Sequence, residues 1–232
     1  MTTTATSPTP APTEAAPEPA VPETLADLHL RLGGVPLERI RCQPPPGTAT
    51  EADVLLRPNG EKRLFELVDG VLVEKAMGLY EARLATVLAY LLEQFVEQHD
   101  LGFVFGADAT MRLRPRLVRL PDVSFVSWER FPNRRLPAER VPDLVPDLAV
   151  AVISEGNTEA EMEGKLDEYF ATGVRLVWYL YPESRTARVY TSRTDVHLLT
   201  ENESLEGDPV LPGFRLLIRD WFERAERGRG RD

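Results

Sequence analysis

The sequence predicts a mixed α/β domain in which helices flank a mixed β-sheet. Two observations carry this prediction. Residues 148–153 are continuously apolar and branched, which is typical of a strand covered on both faces. A capped helix follows and leads into a second apolar segment at 174–181, so the two strands are expected to be parallel neighbours in a right-handed βαβ unit.

Composition limits the classes of protein that fit the chain. The 232 residues are 43% hydrophobic and 28% charged, which suits one compact domain with appendages and excludes a collagen-like or wholly disordered protein. A formal charge of −10 argues against a globally basic surface that binds any polyanion, although a local basic groove is compatible with it. The single cysteine, Cys42, excludes an intramolecular disulfide and fits a reducing, cytoplasmic setting. No run of ~20 apolar residues is present, so no membrane span is expected.

The chain is expected to divide into four parts. Residues 1–22 are rich in Pro, Ala and Thr and predict a disordered tail, and 226–232 form a short Arg/Gly tail. Residues 23–59 predict a helical extension, in which Thr24 opens an amphipathic helix and Gly33-Gly34 ends it. Leu25, Leu28 and Leu32 are expected on one face of this helix, and short helical turns follow near 37 and at 51–56. The main domain is expected over 60–225.

The first half of the main domain predicts a hairpin, a long helix and a set of strands. Asp69-Gly70 between apolar-rich strands indicates a two-residue hairpin turn within 63–75. Residues 81–98 carry one wide apolar helical face, formed by Leu84, Val87, Leu88, Leu91, Leu92 and Phe95. Residues 102–107 and 111–113 predict paired strands, and 118–128 predicts one strand interrupted by Pro121-Asp122.

The second half continues from a proline-rich loop at 132–146 into the βαβ unit. Thr158 with Glu161 predicts a capping box that starts a helix, which runs to about residue 171 and stops at Gly173. Strands are expected at 174–181 and 185–191, joined at Pro182-Glu183. The fold is expected to close with Phe214, Leu216, Ile218 and Trp221.

Two side chains are candidates for chemistry. Alternation places Asp122 on a mainly apolar strand face, and a carboxylate there is costly unless it is paired or bound to metal. The alternative is a turn aspartate or the partner of an arginine. Lys165 lies in the helix after the buried strand with Glu161 and Tyr169 one turn away, although a lone helical lysine is usually solvated. The histidines, His29, His99 and His197, are scattered and do not predict a metal site.

Several sequence blocks resemble the Uma-two family of bacterial endonucleases, which has the PD-(D/E)-x-K restriction-endonuclease-like fold. They follow in the family's order over about residues 60–222 and comprise 65–70, 118–126, 146–154, and Lys165 through Tyr169 to 173–179. The resemblance implies a restriction-endonuclease-like core with an N-terminal hairpin, preceded here by the helical extension. It also implies a DNA endonuclease that depends on Mg²⁺ or Mn²⁺.

The resemblance assigns roles to five positions. Asp122 matches the first metal-binding acid, and the backbone carbonyl of Val152 is the expected second contact to the cation. Lys165 matches a lysine that the family supplies from the helix to position the attacking water. Glu66 is an accessory acid or, equally, an exposed hairpin glutamate. The family's second acid falls on Ala151, and a methyl group cannot ligate Mg²⁺, so weak or absent activity is expected.

Basic residues before Asp122 are candidate phosphate contacts. They are Arg112, Arg114 and Arg119, with a solvated strand face as the alternative. Three functions therefore remain open: an impaired metal-dependent DNA endonuclease, a catalytically lapsed nucleic-acid or protein binding module on the same fold, and a homodimeric scaffold.

Overall fold

In the computed structural model, the described residues are 22–56 and 63–227. The predicted tail at 1–22 lies outside these residues apart from its last position, and only 226 and 227 of the predicted Arg/Gly tail are described. The described residues form five α-helices, which are α1 Leu25–Arg31, α2 Glu51–Leu55, α3 Leu79–His99, α4 Glu159–Thr172 and α5 Ile218–Ala225. No helix among them is long and apolar enough to cross a membrane.

Twelve strands in the described part of the chain build three sheets. They are β1 Phe65–Val68, β2 Val71–Glu74, β3 Gly102–Gly106, β4 Met111–Arg114, β5 Leu117–Arg119, β6 Val123–Ser127, β7 Leu148–Val152, β8 Leu176–Tyr181, β9 Thr186–Tyr190, β10 Val196–Leu199, β11 Ser204–Glu206 and β12 Arg215–Leu217. The largest sheet has the order β10-β9-β8-β7-β6-β3, a second sheet has the order β2-β1-β5-β4, and β11 pairs with β12.

The central sheet is mixed and helices cover both of its faces, which confirms the predicted fold class. Strands β7 and β8 are parallel and joined through α4, whereas β6 and β9 run antiparallel to them. Apolar side chains of α3 and α5 pack on one face, where they meet Val150 and Trp178. Met162, Leu166 and Tyr169 of α4 pack on the opposite face. Ala151 belongs to the face that α4 covers.

Local signals account for the ends of several elements. Asp69 and Gly70 have φ values of 48° and 86°, as the predicted two-residue hairpin turn requires. The hydroxyl of Thr158 accepts a hydrogen bond from the Glu161 amide at 3.1 Å and so starts α4. Gly173, with a φ of 98°, ends α4 in the left-handed conformation.

The predicted pairing of 102–107 with 111–113 is wrong. β3 pairs with β6 and β4 pairs with β5, so these neighbours in sequence lie in different sheets. The predicted strand at 118–128 is in fact two strands, because the chain leaves the second sheet at Arg119 and enters the central sheet at Val123. Pro121 and Asp122 therefore lie at the junction between the two sheets.

The helical extension packs against the hairpin. Leu28 and Leu32 of its first helix are buried with Val71 and Val73 of β2. Leu25 was predicted on the same face, but it is 74% exposed because it lies in the first turn, beyond the edge of the contact. The extension therefore packs on β2, the edge strand of the second sheet, and reaches the start of α4, where the Thr158 hydroxyl donates a hydrogen bond to the Gly33 carbonyl.

Candidate active site

Asp122 is held at the sheet junction by two contacts. Its carboxylate is buried, with 5% of the residue exposed. Oδ2 accepts a hydrogen bond from the Val152 amide at 2.6 Å, which ties the junction to the end of β7. Oδ1 lies 2.9 Å from Nζ of Lys75, an ion pair whose angles do not make a hydrogen bond, so this oxygen lacks a hydrogen-bond donor. Asp122 is thus a buried charge with a partner, as the sequence requires.

The partner, Lys75, was not predicted from the sequence. It follows the last residue of β2, and only 6% of its side chain is exposed. Its ammonium donates a hydrogen bond to the Ala107 carbonyl at 2.9 Å in addition to its contact with Asp122. A lysine just beyond a strand end is usually solvated, so no local signal in the sequence marks it as a site residue.

Lys165 and Glu66 form the second half of the site. The Lys165 ammonium lies 3.0 Å from Oε2 of Glu66 and 3.3 Å from Oε1 of Glu161. Glu66 is buried, so the alternative of an exposed hairpin glutamate does not hold. Its Oε1 accepts a hydrogen bond from the Leu120 amide at 3.1 Å, which fixes the carboxylate beside the strand that leads to Asp122.

Two arginines extend this pair into a buried ion network that consists of Arg39, Glu66, Arg119, Glu161 and Lys165, with the partly exposed Glu168 at its edge. Arg119 donates to Oε2 of Glu66 and to Oε2 of Glu168, both at 2.7 Å. Arg39, from the helical extension, makes two 2.8 Å hydrogen bonds to the two oxygens of Glu161. Arg119 therefore lies inside the protein, and the structure does not bring it to the surface where a nucleic acid could reach it.

The network keeps Glu66, Glu161 and Lys165 charged. Burial alone would raise the pKa of Glu161, but the positive charges of Lys165 and Arg39 lower it to about 2. Burial would likewise raise the pKa of Glu66, but Lys165 and Arg119 hold it well below its usual range. Burial would lower the pKa of Lys165, but the carboxylates of Glu66 and Glu161 raise it. Lys165 is therefore a firmly protonated cation at neutral pH.

Four of the positions predicted from the sequence converge on one small cavity between the central sheet and α4. Asp122, Ala151, Glu66 and Lys165 line it together with Lys75. Its volume is about 20 Å³, which is room for about one water molecule. Because it is far too small for a phosphate group, a phosphodiester cannot reach Asp122 without rearrangement of the lining residues.

The residues present do not fit a divalent cation. Mg²⁺ usually takes one or two carboxylates and several waters in octahedral geometry. Asp122 offers Oδ1 alone, beside an ammonium group, while both oxygens of Glu66 are engaged by Leu120, Arg119 and Lys165. Across the described residues, no group of three or more His, Cys, Asp or Glu side chains could hold a metal ion. Val152 contacts Asp122 through its amide nitrogen, which donates a hydrogen bond, and the predicted role of the Val152 backbone carbonyl as a cation contact stays a prediction.

The remaining arginine candidates lie on the second sheet and are engaged with acids. Arg112 forms ion pairs with Glu51 at 3.3 Å and Asp143 at 3.0 Å. Arg114 lies 3.1 Å from Asp69. Both side chains remain partly exposed, so a phosphate contact would compete with these acids.

A larger cavity of about 520 Å³ opens beside the ends of β7 and β8. Three carboxylates line it, those of Glu81, Glu155 and Glu183. The negative charge of these carboxylates disfavours the approach of the phosphate backbone of a nucleic acid to this cavity.

Comparison with known protein families shows which family the chain belongs to. The family described as "Uma2: Putative restriction endonuclease" matches residues 40–219. The chain belongs to the Uma2 family. Restriction-endonuclease-like families generally use divalent metal ions, which makes the poor fit at Asp122 a departure of this Uma2 chain. The search of curated proteins gave no match.

A solved structure supports the fold. The crystal structure of a putative nuclease belonging to DUF820 from Anabaena variabilis ATCC 29413 matches with a TM-score of 0.62 at 15% sequence identity. The match covers 71% of this chain and 93% of that chain. At this identity the likeness shows the fold alone.

Proposed function

We propose that this Uma2 protein is a DNA endonuclease by descent and that its hydrolysis of phosphodiesters is strongly impaired. The observation that carries the proposal is the convergence of Asp122, Glu66 and Lys165 around Ala151 in one cavity. Three of the positions expected of a metal-dependent nuclease site are kept, and the fourth carries a methyl group in place of a carboxylate.

The impairment has three physical causes. Without a second carboxylate, the site lacks the charge needed to hold a divalent cation, which in such nucleases stabilises the charge that develops on the phosphate. The 20 Å³ cavity excludes the substrate phosphate. Lys165 is held between Glu66 and Glu161, so its positive charge is already neutralised and contributes little to a substrate.

DNA is the proposed substrate on the strength of the family description. Arg112 and Arg114 are the proposed phosphate contacts, because their side chains are 27% and 43% exposed on the second sheet. With a formal charge of −10, the protein is expected to bind DNA weakly and only at low salt.

The test is a nuclease assay on supercoiled plasmid and single-stranded DNA with Mg²⁺ or Mn²⁺. It compares the unmodified chain with Ala151→Glu and with Lys75→Met/Ala151→Glu, which restores the acid and also removes the ammonium from Asp122. We expect the unmodified chain to nick plasmid no faster than the background rate without protein, and the double variant to nick it at least about 10² faster than that background, the order of magnitude that one electrostatic group contributes. Adding Asp122→Asn to the double variant should abolish the nicking. If no variant that carries the acid cuts any DNA, the proposal is wrong.

A binding module is the second candidate, and one observation favours it. Asp122 is neutralised by Lys75 within the protein, so the folded site needs no cation. DNA binding by such a module should survive EDTA and should also survive Ala151→Glu. Gel-shift measurements of DNA binding with and without EDTA distinguish such a module from an endonuclease that binds its substrate through a metal.

A further inference from the structure

We propose that Lys75 replaces the divalent cation at Asp122, so that this site is neutralised by the protein itself and is closed to metal. The inference rests on the proposed function only in taking Asp122 as the position of a metal ligand. It concerns the cation and not the substrate, so the two can fail separately.

The first argument is position. The Lys75 ammonium lies 2.9 Å from Oδ1 of Asp122, the one carboxylate oxygen at the junction that lacks a hydrogen-bond donor. The side chains of Lys75 and Asp122 are both 6% exposed, so bulk solvent screens the contact little. The hydrogen bond to the carbonyl of Ala107, in the loop between β3 and β4, fixes the ammonium in place. Lys75 thus occupies a defined place in the cavity.

The second argument is charge. The carboxylates and ammonium groups that line the cavity are Glu66, Asp122, Lys75 and Lys165, two negative and two positive, and their charges cancel. With an acid at Ala151 and no Lys75, the same cavity would hold three carboxylates and one ammonium group, a net charge of −2 that one divalent cation would neutralise. Loss of the acid and presence of the ammonium therefore compensate each other, and each alone would leave an unbalanced buried charge.

The third argument is exclusion. A divalent cation at Oδ1 would lie beside the Lys75 ammonium and would suffer its repulsion with little screening, since the site is buried. A carboxylate introduced at 151 lines the same cavity as Lys75 and would pair with it first. Restoring the acid alone should therefore leave the site without metal.

The experiment measures Mn²⁺ binding to the full chain by electron paramagnetic resonance and calorimetry, without DNA. The variants are Ala151→Glu, Lys75→Met/Ala151→Glu and the matched control Arg63→Met/Ala151→Glu. Arg63 lies just before β1 of the same hairpin, is 52% exposed and pairs with Glu74, so its removal changes the net charge equally without touching Asp122. We expect one Mn²⁺ per chain in the Lys75 double variant, bound at least tenfold tighter than in the other two proteins.

Equal Mn²⁺ affinity in Ala151→Glu and in the Lys75 double variant would overturn the inference, whether both bind or neither does. If Lys75→Met does not fold, Lys75→Gln retains a donor for the Ala107 carbonyl and takes its place. A urea-unfolding cycle over Lys75→Gln, Asp122→Asn and the double change is the second measurement. The effect of the double change on the unfolding equilibrium constant should differ at least tenfold from the product of the two single effects. If the two changes in unfolding free energy are simply additive, Lys75 and Asp122 are not an interacting pair and the inference is overturned.

The two proposals are separated by the outcome. Tight Mn²⁺ binding in the Lys75 double variant without any cutting of DNA would uphold the role of Lys75 and overturn the endonuclease. Cutting by Ala151→Glu alone, with Mn²⁺ bound as tightly as in the double variant, would uphold the endonuclease and overturn the role of Lys75.

Discussion

Arg39→Met should cost the protein about 3–5 kcal/mol of stability, the range for breaking a buried ion pair by removal of one partner. The guanidinium makes two 2.8 Å hydrogen bonds to Glu161 and also donates to the carbonyls of Gly156 at 2.5 Å and Glu74 at 2.8 Å. The side chains of Arg39 and Glu161 are 8% and 4% exposed, so solvent cannot replace the lost contacts. Lys165 would be left as the cation nearest to Glu161 and is shared with Glu66.

Urea unfolding at pH 7, followed by circular dichroism, measures this loss. The matched control is Arg31→Met in the same extension, where the arginine is 31% exposed and lies 3.1 Å from Asp69. An ion pair that is open to solvent contributes about 0–1 kcal/mol, so the control should unfold near the wild-type midpoint. If Arg39→Met and Arg31→Met lower the stability by the same amount, below about 1 kcal/mol, the buried ion network does not stabilise the fold and the reasoning is refuted.

Three further outcomes are expected. The folded-state pKa of Glu161, about 2, lies below its ordinary value of 4.5, so the charged carboxylate contributes about 3 kcal/mol to stability above pH 4.5, and this contribution is lost as the pH falls towards 2. In Glu161→Gln, the free energy of unfolding should therefore fall by about 3 kcal/mol less between pH 5 and pH 2 than in the unmodified protein. An equal fall in both proteins would count against the pairing of Glu161 with Arg39 and Lys165. Gly33→Ala should destabilise by more than Gly34→Ala in thermal unfolding, since both have positive φ but only a methyl at Gly33 would overlap the Glu161 backbone, and equal effects would contradict the close packing of the extension on α4. Arg112→Gln/Arg114→Gln should reduce the salt slope of DNA binding by about 2, the value for two phosphate contacts, and an unchanged slope would remove these residues from the interface.

Local patterns in the sequence predicted the scaffold of the site well. The branched run of β7, the capped helix α4 and the Gly173 stop all act within a few residues, and together they place Lys165 on the face that covers Ala151. The strand pairings of β3 and β4 were not predictable in this way, because each pairs with a partner outside its neighbouring segment. Recognition of the break at Pro121 as a passage between two sheets needs the tertiary structure.

The electrostatic partners of the site were missed for the same reason. Lys75 meets Asp122 from 47 residues away, and Arg39 meets Glu161 across 122 residues. Nothing in the residues around Lys75 or Arg39 distinguishes them from solvated cations. A buried acid does imply a partner, so the need for a cation at Asp122 was predictable, whereas its identity as a lysine of the hairpin was not.

A crystal structure of the unmodified protein grown with Mn²⁺, with anomalous data collected at the manganese edge, tests the central claim most directly. The account predicts the Lys75 ammonium against Oδ1 of Asp122 and no anomalous peak at that carboxylate. A manganese ion bound to Asp122, with Lys75 turned away, would contradict it.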